Sequence, residues 1–255
     1  PYLRARTSGR FRDTWTKALQ GTQKPTAYKN DRFNIDYTWD NIVNYKFDVA
    51  ENHKFDFTGI FSMQKTTYDD LYLEVKDLPF KSLWHNLGSG VATSYRSNYK
   101  QTTIMSYTGR LNYNYKDRYL VTLSGRYDGS SRLAEGHKWA FFPAAAVAWR
   151  INQEEFLNDV EWLSNLKLRL SVGQTGNDNI DPYRSLGTLS STQYVFGDAV
   201  ASGFLPGGLA NQNLTWEKTT EYNVGIDFGF LDGRISASID YYDRFADGMI
   251  MDKSV

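Results

Sequence analysis

The sequence predicts an all-β fold: a transmembrane antiparallel β-barrel segment of about eight strands, with one short helix near 153–163. Three observations carry this. Apolar residues recur at every second position along runs near ten residues. Aromatic rings sit at both ends of those runs, with small aliphatics between them. Tight turns alternate with long connections. Period two is the strand signal. Ten residues at about 3.3 Å each, tilted near 45°, span roughly 23 Å, close to the ~25 Å apolar band of an outer-membrane barrel.

The first clear pair sets Val43, Tyr45, Phe47 and Val49 against Asn44, Lys46 and Asp48. After a turn at Glu51–Asn52 it sets Phe55, Phe57, Phe61 and Met63 against Lys54, Asp56, Thr58 and Ser62. Tyr107, Leu111, Tyr113 and Tyr115 oppose Thr108, Arg110, Asn112 and Asn114. A turn near Asp117–Arg118 follows, then Tyr119, Val121, Leu123 and Tyr127 oppose Thr122, Ser124, Arg126 and Asp128. Phe141, Ala145, Val147 and Trp149 form the fifth run, and Leu166, Leu168, Leu170 and Val172 the sixth. Tyr222, Val224, Ile226 and Phe228 lead through Asp232-Gly233, a hairpin signal, to Ile235, Ala237, Ile239 and Tyr241. Long connections are expected at 67–104, 129–138 and 175–216. Between the fifth and sixth runs, Phe156, Leu157, Val160 and Leu163 have helical spacing, which predicts the helix.

Ring placement separates a membrane barrel from a soluble sandwich. Tyr107 and Tyr115 flank Gly109 and Leu111, and Tyr119 and Tyr127 flank Val121 and Leu123. Two interfacial girdles have that arrangement, whereas a soluble core fills its middle with rings. Arg110, Lys116, Arg126, Lys167 and Arg169 all fall on the polar parity. A one-residue slip would put every one of them into hydrocarbon.

Composition narrows the chemistry. Of 255 residues, 16% are aromatic. Lys plus Arg number 29 and Asp plus Glu 29, a balance that argues against a nucleic-acid partner. The chain has no cysteine, so it holds no disulfide, thiolate metal site or cysteine nucleophile. Mean hydropathy is −0.55, which a barrel with alternating faces tolerates. His53, His85 and His137 lack metal-ligand spacing, Gly88-Ser89-Gly90 lacks the lysine of a phosphate loop, and Asp69-Asp70 and Glu154-Glu155 are adjacent rather than convergent. Asn177-Asp178-Asn179 with Asp181 reads as a polar turn before a calcium site. No nucleophile–base or paired-carboxylate set appears, so no enzyme, metal or cofactor is expected.

Four blocks carry a family resemblance. They are Arg126-Tyr127-Asp128-Gly129-Ser130-Ser131-Arg132; Trp139-Ala140-Phe141-Phe142-Pro143 running on to Trp149-Arg150-Ile151; Leu163 to Arg169, ending in Gly173-Gln174-Thr175-Gly176-Asn177; and Leu209-Ala210-Asn211 through Leu214-Thr215-Trp216-Glu217 to Asp240-Tyr241-Tyr242. In this order they resemble the SusC/RagA family of TonB-dependent outer-membrane importers of Bacteroidetes. Leu133 stands where that family often has Phe.

The resemblance implies a barrel of roughly 22 strands, of which residues 1–255 form part of the single barrel domain. The plug, TonB box and final strand are not recognisable here. It also implies active import of oligosaccharides or peptides at the cell outer membrane. The partners would be a SusD-like surface lipoprotein and TonB–ExbB–ExbD acting through the plug, with outer-membrane lipid around the wall. A passive porin and a secreted β-sandwich carbohydrate-binding module are the alternatives. Candidate substrate contacts are the outer-loop rings Trp84, Tyr95, Tyr99, Tyr183 and Tyr194, with Arg126, Asp128 and Arg132 at the lumen mouth. The last three also suit an ion pair that braces a strand end.

Overall fold

The computed structural model describes residues 2–12, 25–79, 83–157 and 160–251. Among them, eleven strands form two antiparallel sheets. They are β1 (Tyr2–Arg12), β2 (Thr26–Val49), β3 (His53–Lys76), β4 (Val91–Tyr115), β5 (Tyr119–Ser130), β6 (Trp139–Arg150), β7 (Leu163–Asn177), β8 (Thr188–Phe196), β9 (Ala199–Gly208), β10 (Glu217–Phe230) and β11 (Ile235–Asp247). The main sheet runs β1-β2-β3-β4-β5-β6-β7-β10-β11, and β8-β9 is a separate hairpin. Its two end strands are not paired with each other, so it is a segment rather than a closed barrel.

The expectation of eight strands is corrected to nine in the sheet plus two in the hairpin. The difference lies in length. β2, β3 and β4 have 24, 24 and 25 residues, so most of the stretch expected as a 67–104 loop is strand. Beyond the lipid band neither face needs to be apolar. Polar residues then occupy both parities, as Lys29, Asn30, Asp31 and Arg32 do, and the period-two signal fades while the backbone pairing continues.

The chain divides into two compact units, 1–38 with 64–103 and 39–63 with 104–255. In the first unit a small core joins Ala27, Val75, Leu78 and Leu87, with Phe11, Leu73 and Trp84 packed against it. Gly9 is required there, because a Cβ would lie 2.5 Å from the Trp84 ring.

In the second unit the register agrees with the expected faces. Leu111 pairs with Leu123, Leu123 with Ala145, and Ala145 with Val172. Val121 pairs with Val147, Val147 with Leu170, Leu170 with Val224, and Val224 with Tyr241. This apolar face is not a sealed interior, since Leu123 is 52% exposed. A sandwich would have covered it with a second sheet.

The tight turns hold backbone that most residues avoid: Lys116 and Asp117 have φ of 52° and 53°, and Leu231 and Asp232 have 54° and 55°. Asp117 stabilises its own turn by accepting from Asn114 Nδ2 while its N–H donates to Asn114 Oδ1. Asn114, then Lys54 at 3.3 Å, holds the Asp117 carboxyl below the usual carboxylate range.

The helix expected near 153–163 does not form, and Asn158 and Asp159 within it lie outside the described residues. Instead, i→i+3 bonds step along the segment: Glu154 N–H to Ile151 O, Leu157 to Glu154, Val160 to Leu157, and Leu163 to Val160. Its side chains are claimed by neighbouring strands before a helical turn can propagate. Glu154 accepts from Tyr119 Oη at 2.7 Å, Trp149 Nε1 at 2.9 Å and Arg118 Nη1 at 3.2 Å. Trp162 stacks on Phe230 at 5.7 Å.

The Tyr119 hydroxyl, then the Trp149 indole N–H, lowers the Glu154 pKa. Its contribution to stability is therefore present above the ordinary carboxylate range and is lost as pH falls through the lowered value. Glu154→Gln is expected to raise protease nicking between residues 151 and 163 at neutral pH and to abolish the further rise that wild type shows below about pH 4. Identical pH profiles would refute this role.

Candidate functional site

Two surfaces of the second unit define what this wall can do. The first is the apolar face with its rings. One belt runs Trp39, Phe61, Tyr107, Trp139 and Tyr127, with successive centroids 6.1, 5.2, 6.2 and 5.0 Å apart. The other runs Tyr115, Tyr119 and Trp149, each 6.3 Å from the next. Tyr107 and Tyr115 are eight residues apart on β4, roughly 26 Å along the strand at 3.3 Å per residue. Rings with polar edges favour the boundary between headgroups and hydrocarbon, so the aliphatics between the belts face acyl chains.

The second surface is polar and cross-linked. Arg169 donates to Asp227 from Nε at 2.9 Å and from Nη2 at 2.8 Å, and its Nη2 lies 3.0 Å from Asp240 Oδ1. Ser238 Oγ donates to Asp227 Oδ1 at 2.7 Å. Arg244 pairs with Glu221, and Thr122 Oγ1 donates to Asn112 Oδ1 at 2.9 Å. Such groups belong against water or one another, not lipid.

The second and fourth sequence blocks meet the residues just after the first in a buried cluster of Leu133, Ala134, Ala140, Phe142, Leu214 and Trp216. Trp216 Nε1 donates to Lys138 O at 2.9 Å, and its ring meets Phe142 edge-on at 5.4 Å. Ala134 N–H donates to Leu214 O at 3.0 Å. Gly176 is obligatory, because a Cβ there would run into the Phe142 ring. Sequence reasoning missed this cluster. Its one signal was Phe142, a large ring on the parity otherwise occupied by alanines.

The candidate contact residues separate into two groups. Arg126 Nε donates to Asp128 Oδ1 at 2.7 Å and its Nη2 to Ser106 Oγ at 3.1 Å. Asp128 is only 6% exposed, and the pair braces the end of β5. Arg132 Nη1 donates to Asp178 O at 3.4 Å, while Ser130 Oγ donates to Asp178 Oδ2 at 2.6 Å. Asn177 Oδ1 accepts from Asn179 N–H at 3.0 Å, which makes 177–179 a local polar turn.

Each candidate ring is placed by its own surroundings. Trp84 packs on the first unit's core. Tyr95 is 81% exposed, and Tyr99 Oη donates to Gln101 Oε1 at 3.2 Å. Tyr183 has a φ of 69° in the connection after β7. Tyr194 crosses the β8–β9 hairpin above Gly203.

A sheet with ring-bordered aliphatics on one side and ion-paired groups on the other is the wall of an outer-membrane type of β-barrel. The chain belongs to the TonB dependent receptor-like, beta-barrel family, whose model matches residues 2–255. It is 34% identical over 219 residues to TonB-dependent receptor P26 of Formosa agariphila, covering 85% of this chain and 22% of that protein. It is 47% identical over 155 residues to TonB-dependent receptor SusC of Bacteroides thetaiotaomicron, covering 59% of this chain and 15% of that protein. A chain in the structure of the RagAB peptide transporter matches its fold with a TM-score of 0.87 at 22% identity, over 99% of this chain and 28% of that one. The chain thus spans about a fifth or less of the curated relatives' length.

Proposed function

We propose that this chain is a stretch of barrel wall, part of a single barrel domain, in a TonB-dependent importer of the cell outer membrane. It takes up oligosaccharides or peptides together with a SusD-like surface lipoprotein. The observation that carries the reading is the pairing of two ring belts and exposed aliphatics on one face with an ion-paired polar face behind them. The wall performs no covalent chemistry: it bounds a water-filled lumen, and TonB–ExbB–ExbD supplies the work by moving the plug. The kinship to TonB-dependent receptor SusC and the fold likeness to the RagAB peptide transporter support this reading.

The test is uptake by cells that express the full-length receptor, compared with cells lacking TonB. Accumulation of oligosaccharide or peptide is expected to require both the receptor and TonB. Uptake that persists without TonB would overturn the importer in favour of a passive porin.

A further inference from the structure

We propose that one face of the first unit, lined by arginine and tyrosine, binds an anionic oligosaccharide bearing carboxylate or sulfate groups. This rests on the importer reading and names the substrate class. β1 carries Arg4, Arg6, Arg10 and Arg12, all at even positions. The register sets Arg4 opposite Asn34, Arg6 opposite Arg32, Ser8 opposite Asn30 and Arg10 opposite Tyr28. Residues directly opposite in a ladder share a face. Toward the Arg12 end of β1 and the start of β2 the other face is occupied, since Phe11, Ala27 and the Trp84–Gly9 contact belong to the small core. The four arginines of β1 remain exposed.

The charge on this face is not balanced within it. Arg32 and Arg96 join the four, against Asp36, Asp70 and Glu74. Asp70, 3% exposed, is shared by Arg32 at 3.3 Å and Arg96 at 3.9 Å. Asp36 accepts from Thr66 Oγ1 at 2.7 Å and Glu74 from Tyr72 Oη at 2.9 Å. Among the described residues no carboxylate pairs with Arg4, Arg6, Arg10 or Arg12. Arg6 lies directly opposite Arg32, whose charge Asp70 offsets, so among the described residues it is Arg6 that is left without a counter-charge. Guanidinium forks match carboxylate and sulfate oxygens two at a time.

Two further features select a sugar. Tyr28 and Tyr72 lie 5.6 Å apart, Arg32 sits 5.5 Å over the Tyr68 ring, and Arg96 sits 4.7 Å over Tyr72. These rings offer flat platforms among the cations, on which a pyranose can stack. The Asn30 and Asn34 amides flank Arg32 in the same row. Amides exchange hydrogen bonds with hydroxyls, and a sugar brings closely spaced hydroxyls together with its acid groups.

The experiment titrates the purified full-length receptor with oligogalacturonate, a chondroitin sulfate oligosaccharide, a neutral malto-oligosaccharide and oligo-glutamate, at low and high salt. The two anionic glycans are expected to bind at least about tenfold tighter than the other two, with affinity falling as salt screens the charges. R4Q/R6Q/R10Q/R12Q is expected to remove that preference, while R4K/R6K/R10K/R12K, which keeps the charge and loses the fork, keeps a weaker, salt-sensitive one. If the quadruple glutamine variant fails to fold, R4Q/R12Q, at the exposed ends of the row, takes its place. Equal affinity for neutral and anionic glycans, oligo-glutamate binding as tight as the glycans, or unchanged affinity in the glutamine variant would each overturn the proposal. TonB-dependent uptake, measured in parallel, judges the importer separately. Its failure would leave an equilibrium preference for anionic glycans standing.

Discussion

Leu170→Arg is expected to cost more than the ~0–1 kcal/mol of a cation at the membrane interface and up to the roughly 2–4 kcal/mol of one at the bilayer midplane. Leu170 lies between Val147 and Val224 in a row of apolar side chains, one same-face step from the Tyr119–Trp149 rung toward the other belt. Its guanidinium would have no carboxylate within reach on that face, whereas Arg169, one residue earlier, has Asp227 and Asp240. Ser171→Arg, one residue later, points to the polar face and is expected to be tolerated. The readout is the amount of folded, heat-modifiable full-length receptor recovered from outer membranes. Equal recovery of the two variants would show that the apolar face does not meet hydrocarbon.

Trp216→Ala is expected to destabilise the second unit by about 3–5 kcal/mol, the usual cost of deleting a large buried aromatic side chain. Trp216 is 5% exposed, packs edge-on against Phe142, and donates its indole N–H to Lys138 O. The loss therefore combines a cavity with an unpaired carbonyl. Because the cluster also joins Leu133 and Ala134 to Leu214, segments 131–138 and 209–216 should loosen together. Limited proteolysis should cut both segments faster in the variant, with Trp216→Phe intermediate. Cleavage confined to one segment would show that the cluster does not couple them.

The faces of the membrane strands were legible because their cause is local. A strand between lipid and water must alternate, so Val147, Leu170, Val224 and Ile239 declared their side without reference to any neighbour. The outer reaches of β2, β3 and β4 were not legible, since water on both sides imposes no period. The segment 151–163 was misread for a related reason. The spacing of Phe156, Val160 and Leu163 suits a helix, but Glu154 and Trp162 are bound by Tyr119, Trp149 and Phe230, partners that helical spacing cannot reveal. The candidate contacts Arg126, Asp128 and Arg132 stood out in their block. Their placement in ion-pair and backbone contacts depends on Ser106 and Asp178, which fold in from elsewhere.

Charge shows the same division. The chain is neutral as a sum, and a sum is blind to position. Pairing β1 with β2 gathers the arginines on one face and sets Arg6 against Arg32. The fold class and the apolar side of each membrane strand could be read from the residues alone, because side-chain period is written residue by residue, and the four blocks carried the family resemblance. The strand count, the buried cluster that joins 133–134 to the second and fourth blocks and the arginine face were set by the assembled sheet. Each of those depends on which distant residues the register brings opposite one another.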